Sequence, residues 1–520
     1  MRECSRHPPE AHRKQSGTVS QRKWKTALAL TGMIHKKMVG KANENAVFHS
    51  VKRFRFAAWV ALAVIAGVGL RLWLIAHVAR VAGDTLLYGD IARNLLAHGT
   101  YGFTVTNHAA RPTMIRVPGY PLFLAACFRV FGVEHYQPVL YLQLLVDMAT
   151  CGLASGLAGR LFGRRAAMAA LWMGAMCPFT ASYVATPLTE TLSLFCIAVV
   201  FYGIEHWHAG GMGFNRWLWV VSAGLAYAVL LRPEQGLLAA AVVPAMLWMV
   251  WGGQWQGGAL AWRAALPVMA AVICVVLLLM PWTVRNWRTF HVLQPLAPRS
   301  ATDPGELVPG GFNRWYRTWG IDFASTEEVY WNYDSDVIEV SDLPRRAFDN
   351  ESQYARTAAL LEEYDATTRV TPAIDARFAA LARERVAADP VRYYVALPVA
   401  RLLDMLLRPR LEMLEISLEW WRWSAHKAQT AFAVGYGALN LAYLALAGFG
   451  VVAWRRRGWD ALAWSMVAFV ALRCALLLTL DNSEPRYTLE FFPVLFVCGA
   501  AVWRRDPHVS EARHGDPDSW

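Results

Sequence analysis

Several short stretches of this sequence set acids and arginines where a hydroxyl could lose its proton or a phosphate could be held. In Asp84-Thr-Leu-Leu-Tyr88, the later residues Leu87, Ile91 and Leu95 recur at helical spacing, so Asp84 stands at a helix start. A carboxylate there is either a general base or a cap for the N–H groups of the first turn. Asp90, further along the same helix, reads as part of a solvated face. Arg116 lies in Arg111-Pro-Thr-Met-Ile-Arg116-Val-Pro118-Gly-Tyr-Pro121, beside a proline-stiffened turn. Its guanidinium either forks onto a phosphate or snorkels to lipid headgroups.

Four more places belong with these. Glu190, in Leu-Thr-Glu190, opens an apolar run, where an acid is costly unless paired or used, which makes it a candidate for the chemistry itself. Arg285, in Pro281-Trp282-Thr-Val-Arg285-Asn286, emerges where another apolar run ends and is either a phosphate ligand or an interfacial anchor beside Trp282 and Trp287. Glu484-Pro-Arg486-Tyr487 sets an acid and a base two residues apart, able to pair or to share a ligand. Asp147 and Arg473 lie inside apolar runs, and each requires a buried partner.

The elements that must position these residues are membrane helices. Of the 520 residues, 56% are apolar and only 17% charged, and mean hydropathy is +0.26, too apolar for a water-soluble protein of this size. A span needs about 20 apolar residues. Such runs fall at 56–78, 138–161, 165–182, 187–206, 216–232, 235–252, 262–282, 430–453, 459–480 and 487–503, about ten in all. If they alternate, Arg164, Arg165, Arg216, Arg263, Arg455, Arg456, Arg457, Arg504 and Arg505 share one side with the basic N-terminal stretch, which is then the cytoplasm. The net charge of +12 is thereby explained by topology, and nucleic acid is set aside.

The predicted fold is an all-α polytopic membrane protein with interfacial helices and a periplasmic loop of mixed structure. Residues 1–52 read as a basic cytoplasmic tail, expected to be disordered because apolar periodicity is absent, and residues 506–520 as a second cytoplasmic tail. Residues 53–282 form a transmembrane core whose first periplasmic loop is 79–137; residues 283–394 form a long periplasmic loop; residues 395–505 carry interfacial and C-terminal spanning helices. Tyr120–Phe131 and Leu397–Trp423 are apolar but short or broken, and read as helices at the interface. Outward chemistry then falls to 79–137, 183–190, 232–234, 283–394 and 481–486. Lysine is nearly confined to the first 52 residues, so phosphate in the body of the protein must be met by arginine. The eight cysteines fall in apolar runs or the tail and describe no disulfide framework. In the long loop, Trp315 and Trp319 either stack on a sugar or anchor the interface, and Glu327, Glu328, Asp334 and Asp336 read as a solvated face.

The order of these motifs resembles the GT-C membrane glycosyltransferases, in particular bacterial relatives of protein O-mannosyltransferases and of the lipid A aminoarabinose transferase (glycosyltransferase family 39-like). The resemblance rests on Asp84, Tyr88 and Ala92 after the first span, Arg116-x-Pro118-Gly119-Tyr-Pro121, Leu-Thr-Glu190, Leu231-Arg232-Pro-Glu234, Pro281-Trp282-x-x-Arg285-Asn286, and Glu484-x-Arg486-Tyr487 with Pro493. It covers residues 56 to 505. It implies a polyprenyl-phosphate-linked sugar donor, an acceptor (glycan, lipid or protein) on the periplasmic face of a bacterial inner membrane, and inversion at the anomeric carbon. Asp84 matches the family's first-loop acid, the expected base, with Glu190 as a second catalytic candidate. Tyr88, Arg116, Arg285, Glu484, Arg486 and Tyr487 are the expected substrate-binding residues. Two departures stand out: the family's acidic pair is Asp84-Thr85 here, and the aminoarabinose-transferase Lys-Pro-Pro turn is Val-Pro-Gly-Tyr-Pro. No cofactor is expected; a divalent metal held by Asp84 with Glu190 is allowed but not indicated.

Two other classes share this outline. A flippase or transporter of lipid-linked intermediates would place its charges near the bilayer midplane between internal repeats, and no repeat is visible. An O-antigen polymerase or ligase would carry most of its chemistry in the large loop, whereas the strongest acidic motif here is in the first.

Overall fold

The computed structural model describes residues 54–105, 109–252, 259–456 and 458–504. The expected tails 1–52 and 506–520, and the topology residues Arg457 and Arg505, lie outside them. The chain divides into two compact units, 1–62 and 63–520. In the first, the described residues are the opening turns of a helix, with Phe54, Trp59 and Leu62 exposed. The second carries the remaining elements.

Every apolar run expected to span is helical. The elements are α1 (Phe54–Val78), α2 (Asp84–His98), α3 (Gly119–Phe131), α4 (Tyr136–Phe162), α5 (Arg164–Ala175), α6 (Pro178–Val184), α7 (Glu190–Ala209), α8 (Arg216–Leu231), α9 (Gly236–Trp251) and α10 (Ala259–Phe290). They continue with α11 (Gly310–Arg317), α12 (Phe323–Ser325), α13 (Glu351–Asp365), α14 (Pro372–Ala388), α15 (Leu397–Leu407), α16 (Trp423–Arg455), α17 (Ala461–Leu477) and α18 (Phe492–Ala500). Among the described residues, seven helices are long and apolar enough to cross a membrane, α9 and α18 being counted with the tight turns that flank them as Pro233–Trp251 and Pro485–Trp503, and an eighth candidate is α5 with α6, bent by 51°. The expected ten therefore reduces to eight by length. The remaining two, α8 and α17, have 16 and 17 residues. They are apolar and stand at the short end of the roughly 17–25 residues that a span uses.

Helix α4 packs on α5 and α7, α7 on α8, α9 on α17, and α16 on α18. The last pair is drawn close by Gly450, where an added Cβ would lie 1.8 Å from the Cys498 carbonyl oxygen. The charges buried in these helices are paired: Arg71 on α1 meets Asp147 on α4, its Nε 2.6 Å from Oδ2. Arg473 on α17 is ion-paired with Glu490 in the turn before α18. These are the partners that Asp147 and Arg473 required.

The first loop holds a two-stranded antiparallel sheet, β1 (Gly102–Thr104) with β2 (Ala110–Pro112), in the register Phe103 to Arg111. Asp90 ties α2 to it, accepting from the Thr104 backbone N–H at 2.7 Å and its hydroxyl at 2.6 Å, so Asp90 is an anchor and not a solvated face. Residues 283–394 form a helical subdomain, with no strand among the described residues where mixed structure was expected. Its core is aromatic: Phe312, Trp315, Tyr316, Trp319, Tyr364 and Phe378 are buried together. Trp315 and Trp319 are thus core residues, not sugar platforms. Asp375 fixes α11 on α14 by accepting from the Gly311 and Phe312 N–H groups, each at 2.9 Å.

Candidate active site

The segments expected to face outward converge on one cavity of about 1630 Å³. Helix α2 starts after Gly83, whose φ of 56° is open to glycine at no steric cost, and no side chain caps it. Asp84 is the first residue of the helix, and its carboxylate turns to two arginines instead. Oδ1 accepts from Arg116 Nη2 at 2.8 Å and Oδ2 from Arg486 Nη1 at 3.2 Å. The capping role is excluded by this geometry. Burial pushes the Asp84 carboxyl up, but Arg486 and Arg116 outweigh it and bring it down to about 2. It is a carboxylate at neutral pH.

Arg116 comes from the turn before α3, with Pro118 preceding that helix. Its Nε is buried without a hydrogen-bond partner, a donor left over for a ligand. Arg486 has its Nε 2.5 Å from Glu484 Oε1, a pairing that is one of the two readings their spacing allows. Burial pushes the Glu484 carboxyl up to about 7, against the pull of Arg486. Tyr88, one turn beyond Asp84, lines the cavity and stands edge-on to Tyr120 at 5.2 Å. Tyr487 also lines it, with Arg486 and Arg232 over its ring at 5.7 and 5.9 Å.

Glu190, the first residue of α7, lines the same cavity and is buried, accepting from Arg232 Nη1 at 2.8 Å. Arg232 reaches Glu234 as well, at 2.6 Å, and lies 3.2 Å from Glu490. The wall therefore holds a chain of charges from Arg116 through Asp84 and Arg486 to Glu484, and a second from Glu190 through Arg232 and Glu490 to Arg473. Among the described residues, no group of three or more His, Cys, Asp or Glu is arranged to hold a metal ion.

Of the eight expected site residues, seven line this cavity: Asp84, Tyr88, Arg116, Glu190, Glu484, Arg486 and Tyr487. Arg285 does not. Its guanidinium donates to the carbonyls of Thr113 and Tyr101, both at 2.7 Å, and sits among the rings of Tyr101, Trp282 and Phe290. It holds the first loop against α10. Sequence reasoning missed Arg232 and Glu234 as site members although both stood in the quoted motifs. It also missed Glu490, which is hidden in an apolar run, and Glu327, which was read as solvated but lines the cavity. The cavity is also lined by apolar side chains, among them Leu411, Met413, Leu414, Ile416, Leu477 and Leu480.

An all-helical, polytopic membrane protein with an ion-paired cavity at its loop-bearing end is the class that fold and site define. Residues 111–283 match the family described as dolichyl-phosphate-mannose-protein mannosyltransferase, a stretch running from Arg111 past Glu190 and Arg232 to the end of α10. The match supports a GT-C membrane glycosyltransferase, the class that the motif order resembles. No curated protein sequence matches the chain. Among solved structures it is similar to the Archaeoglobus fulgidus oligosaccharyltransferase tethered with an acceptor peptide, at 10% identity and a TM-score of 0.48, over 86% of this chain and 49% of that one. It is also similar to ArnT from Cupriavidus metallidurans bound to undecaprenyl phosphate, at 17% identity and a TM-score of 0.35, over 86% and 78%. The chain spans about half the length of the archaeal protein.

Proposed function

We propose that this protein transfers a sugar, a hexose or a pentose, from a polyprenyl-phosphate carrier to an acceptor on the periplasmic face of a bacterial inner membrane, with both termini cytoplasmic. The observation that carries the reading is the Asp84 carboxylate clamped between Arg116 and Arg486 in a cavity that apolar side chains also line. A carboxylate, two guanidiniums and apolar lining are what a lipid-borne phosphosugar needs.

Asp84 is the general base. In its resting contacts it is a weak one, because both arginines stabilise the charged form. The same arginines are the natural ligands of the donor phosphate. As they turn to the phosphate they release Asp84, so donor binding raises the basicity of the group that must act next. The acceptor O–H then gives its proton to Asp84 while its oxygen forms the new bond to the anomeric carbon. The bond from that carbon to the phosphate oxygen breaks, and its electron pair leaves on the phosphate. Arg116 and Arg486 stabilise that charge in a partly dry site. Attack opposite the leaving group inverts the anomeric carbon. Glu190 and Arg232 form the wall beside Tyr88 and orient the sugar.

The test is reconstitution of wild type and Asp84→Asn in liposomes with polyprenyl-phosphate sugars, following release of polyprenyl phosphate. Normal turnover by the variant would overturn the base. Movement of intact donor across the bilayer without release would make the protein a flippase.

A further inference from the structure

Two carboxylates share the guanidinium of Arg486. Asp84, from α2, accepts from its Nη1 at 3.2 Å, and Glu484, in the turn ahead of α18, places Oε1 2.5 Å from its Nε. Both line the cavity, but they are not held alike. Asp84 has a guanidinium on each oxygen, whereas Glu484 has one oxygen at Arg486 and the other, Oε2, buried with no hydrogen-bond partner. Glu484 is 4% exposed, so this bare oxygen has little water to turn to.

An ionised carboxylate with a bare oxygen is costly to bury; protonated, it loses the charge and turns Oε2 from an idle acceptor into a donor. The groups around Glu484 favour the proton. Arg486 faces it from its own turn, Asp84 from α2 and Glu190 from α7, with the phenols of Tyr487 beside it and Tyr183 on α6. Arg116 and Arg232 stand one group further off, engaged by Asp84 and Glu190. One cation, itself shared with Asp84, thus stands against two carboxylates, and burial holds the Glu484 carboxyl near 7.

The lining as a whole points the same way. Seven arginines and seven carboxylates line the cavity, so it is neutral with all of them ionised, and the phosphodiester of a lipid-borne donor adds a negative charge. One carboxyl that keeps its proton offsets that charge. Beside Arg486, it also offers the phosphate a hydrogen-bond donor that no side chain has taken.

Resting on the reading of the cavity as the donor site, we infer that Glu484 is the general acid of the transfer, its Oε2 giving a proton to the phosphate oxygen that leaves the anomeric carbon. The acceptor O–H gives its proton to Asp84 as its oxygen bonds to that carbon. The bond from the carbon to the phosphate oxygen breaks, its electron pair stays on the oxygen, and the Glu484 proton follows onto the phosphate. The lipid then leaves as a singly charged phosphate monoester. Glu484 is left ionised and Asp84 protonated, and one proton passing from Asp84 to Glu484 through solvent in the cavity restores both. A phosphate monoester takes up its second proton near pH 6, about the strength of the Glu484 carboxyl, so the proton moves between matched groups. Two carboxylates on one guanidinium are thus set apart by their surroundings: two arginines keep one charged, and burial keeps the other neutral.

The test is the pH dependence of undecaprenyl phosphate binding to the full chain in liposomes, for wild type, Glu484→Gln and Glu484→Asp. Above pH 7 the complex keeps a proton that the separate partners have lost. Wild-type affinity is therefore expected to fall about tenfold from pH 7 to about 8.5, as one linked proton requires, and Glu484→Asp to keep that slope. Glu484→Gln, whose amide donates at every pH, is expected to stay flat within about twofold. Equal slopes in wild type and Glu484→Gln overturn the inference; no binding by wild type strikes the donor-site reading itself. In turnover, Glu484→Gln is expected to slow release from a polyprenyl-phosphate sugar by about 10²-fold and to recover most of that loss on the phosphorothioate analogue, whose leaving group is a weaker base. Asp84→Asn, lacking the base, should lose both donors alike. Equal losses of the two donors in Glu484→Gln would reduce Glu484 to a binding contact and overturn the acid.

Discussion

Asp84 and Arg486 stand 402 positions apart in the chain and meet across the cavity, Arg486 Nη1 donating to Asp84 Oδ2 at 3.2 Å. Arg116 holds the other carboxylate oxygen at 2.8 Å. The base of the proposed reaction therefore rests in the grip of the groups proposed to receive the donor phosphate. This makes the order of events a matter of electrostatics: an acceptor arriving first meets a carboxylate with a pKa of about 2, and one arriving after the donor meets a stronger base.

Replacing Asp84 with Asn keeps the shape and removes the proton acceptor. Transfer is expected to fall by roughly 10²–10⁴-fold, the span of general base catalysis. Donor binding should hold or tighten, since Arg116 and Arg486 lose a competitor for the phosphate. Initial rates and donor affinity in the same liposomes check both halves, and weaker donor binding in Asp84→Asn would contradict the shared-arginine arrangement.

Arg486 and Arg285 separate two roles that sequence alone treats alike. Arg486→Gln should raise KM for the donor and lower kcat, and Arg486→Lys should restore little, because a point charge cannot hold Asp84 and Glu484 in one fork. Arg285→Gln should act on stability, because its guanidinium holds the Thr113 and Tyr101 carbonyls. The expected result is a lower thermal midpoint with donor KM changed less than about twofold, where a lost phosphate contact of ordinary strength gives about tenfold. A large KM effect from Arg285→Gln with unchanged stability would return it to the site.

Seven of the eight expected site residues share one cavity, and for four of them the reason is physical: Glu190, Glu484, Arg486 and Tyr487 are charges or a phenol at the end of an apolar run, where their cost demands a use, while Asp84, Tyr88 and Arg116 lie in the loop that follows the first run. The helices were legible for the same reason, since apolar runs of span length have few alternatives in a bilayer. Pairing was harder to read. Nothing in the run Thr488-Leu-Glu490-Phe-Phe says that Glu490 meets Arg473, because two helices must pack before the pair exists. Arg285 misled by position, being a cation at a membrane edge whose partners are backbone carbonyls, and carbonyls leave no mark in a sequence. Trp315 and Trp319 misled by type, because an aromatic core outside the membrane and a sugar platform use the same residues.

Glu484 gives the pH dependence. Its folded-state carboxyl, near 7, lies above its ordinary 4.5, so the folded protein holds the proton more tightly than the unfolded chain does. The stabilisation from this group is complete below about pH 4.5 and is lost as pH rises through about 7. Thermal midpoints measured between pH 5 and 8 should fall for wild type, with Glu484→Gln flatter over that interval. Parallel profiles for the two proteins would remove Glu484 as the titrating group.

Orientation can be read from two introduced cysteines. Ser335 belongs to the helical subdomain between α10 and α15, and Gly213 to the turn between α7 and α8, where an added Cβ meets nothing within 4 Å. A membrane-impermeant maleimide reaching the periplasm should label Ser335→Cys in intact spheroplasts and Gly213→Cys only after lysis. The reverse pattern would put the charged cavity in the cytoplasm.

Arg71 and Asp147 test how far the bundle depends on charge buried in its helices. Arg71 does more than pair: its Nη1 donates to the Ala175 carbonyl at 2.6 Å and its Nη2 to the Gly174 carbonyl at 3.1 Å, the unsatisfied end of α5 at the bend into α6. Asp147→Leu leaves that guanidinium without its counter-ion, and Arg71→Met leaves the carboxylate and two carbonyls bare. Each is expected to cost about 3–5 kcal/mol, the range for breaking a buried pair from one side. The double variant removes both charges and leaves only the carbonyls, so it should cost well under the sum of the two. Thermal unfolding of the four proteins in one detergent closes the cycle. Additive losses would mean that the two charges do not stabilise each other, and that the carbonyl contacts at the α5 bend hold Arg71 in place on their own.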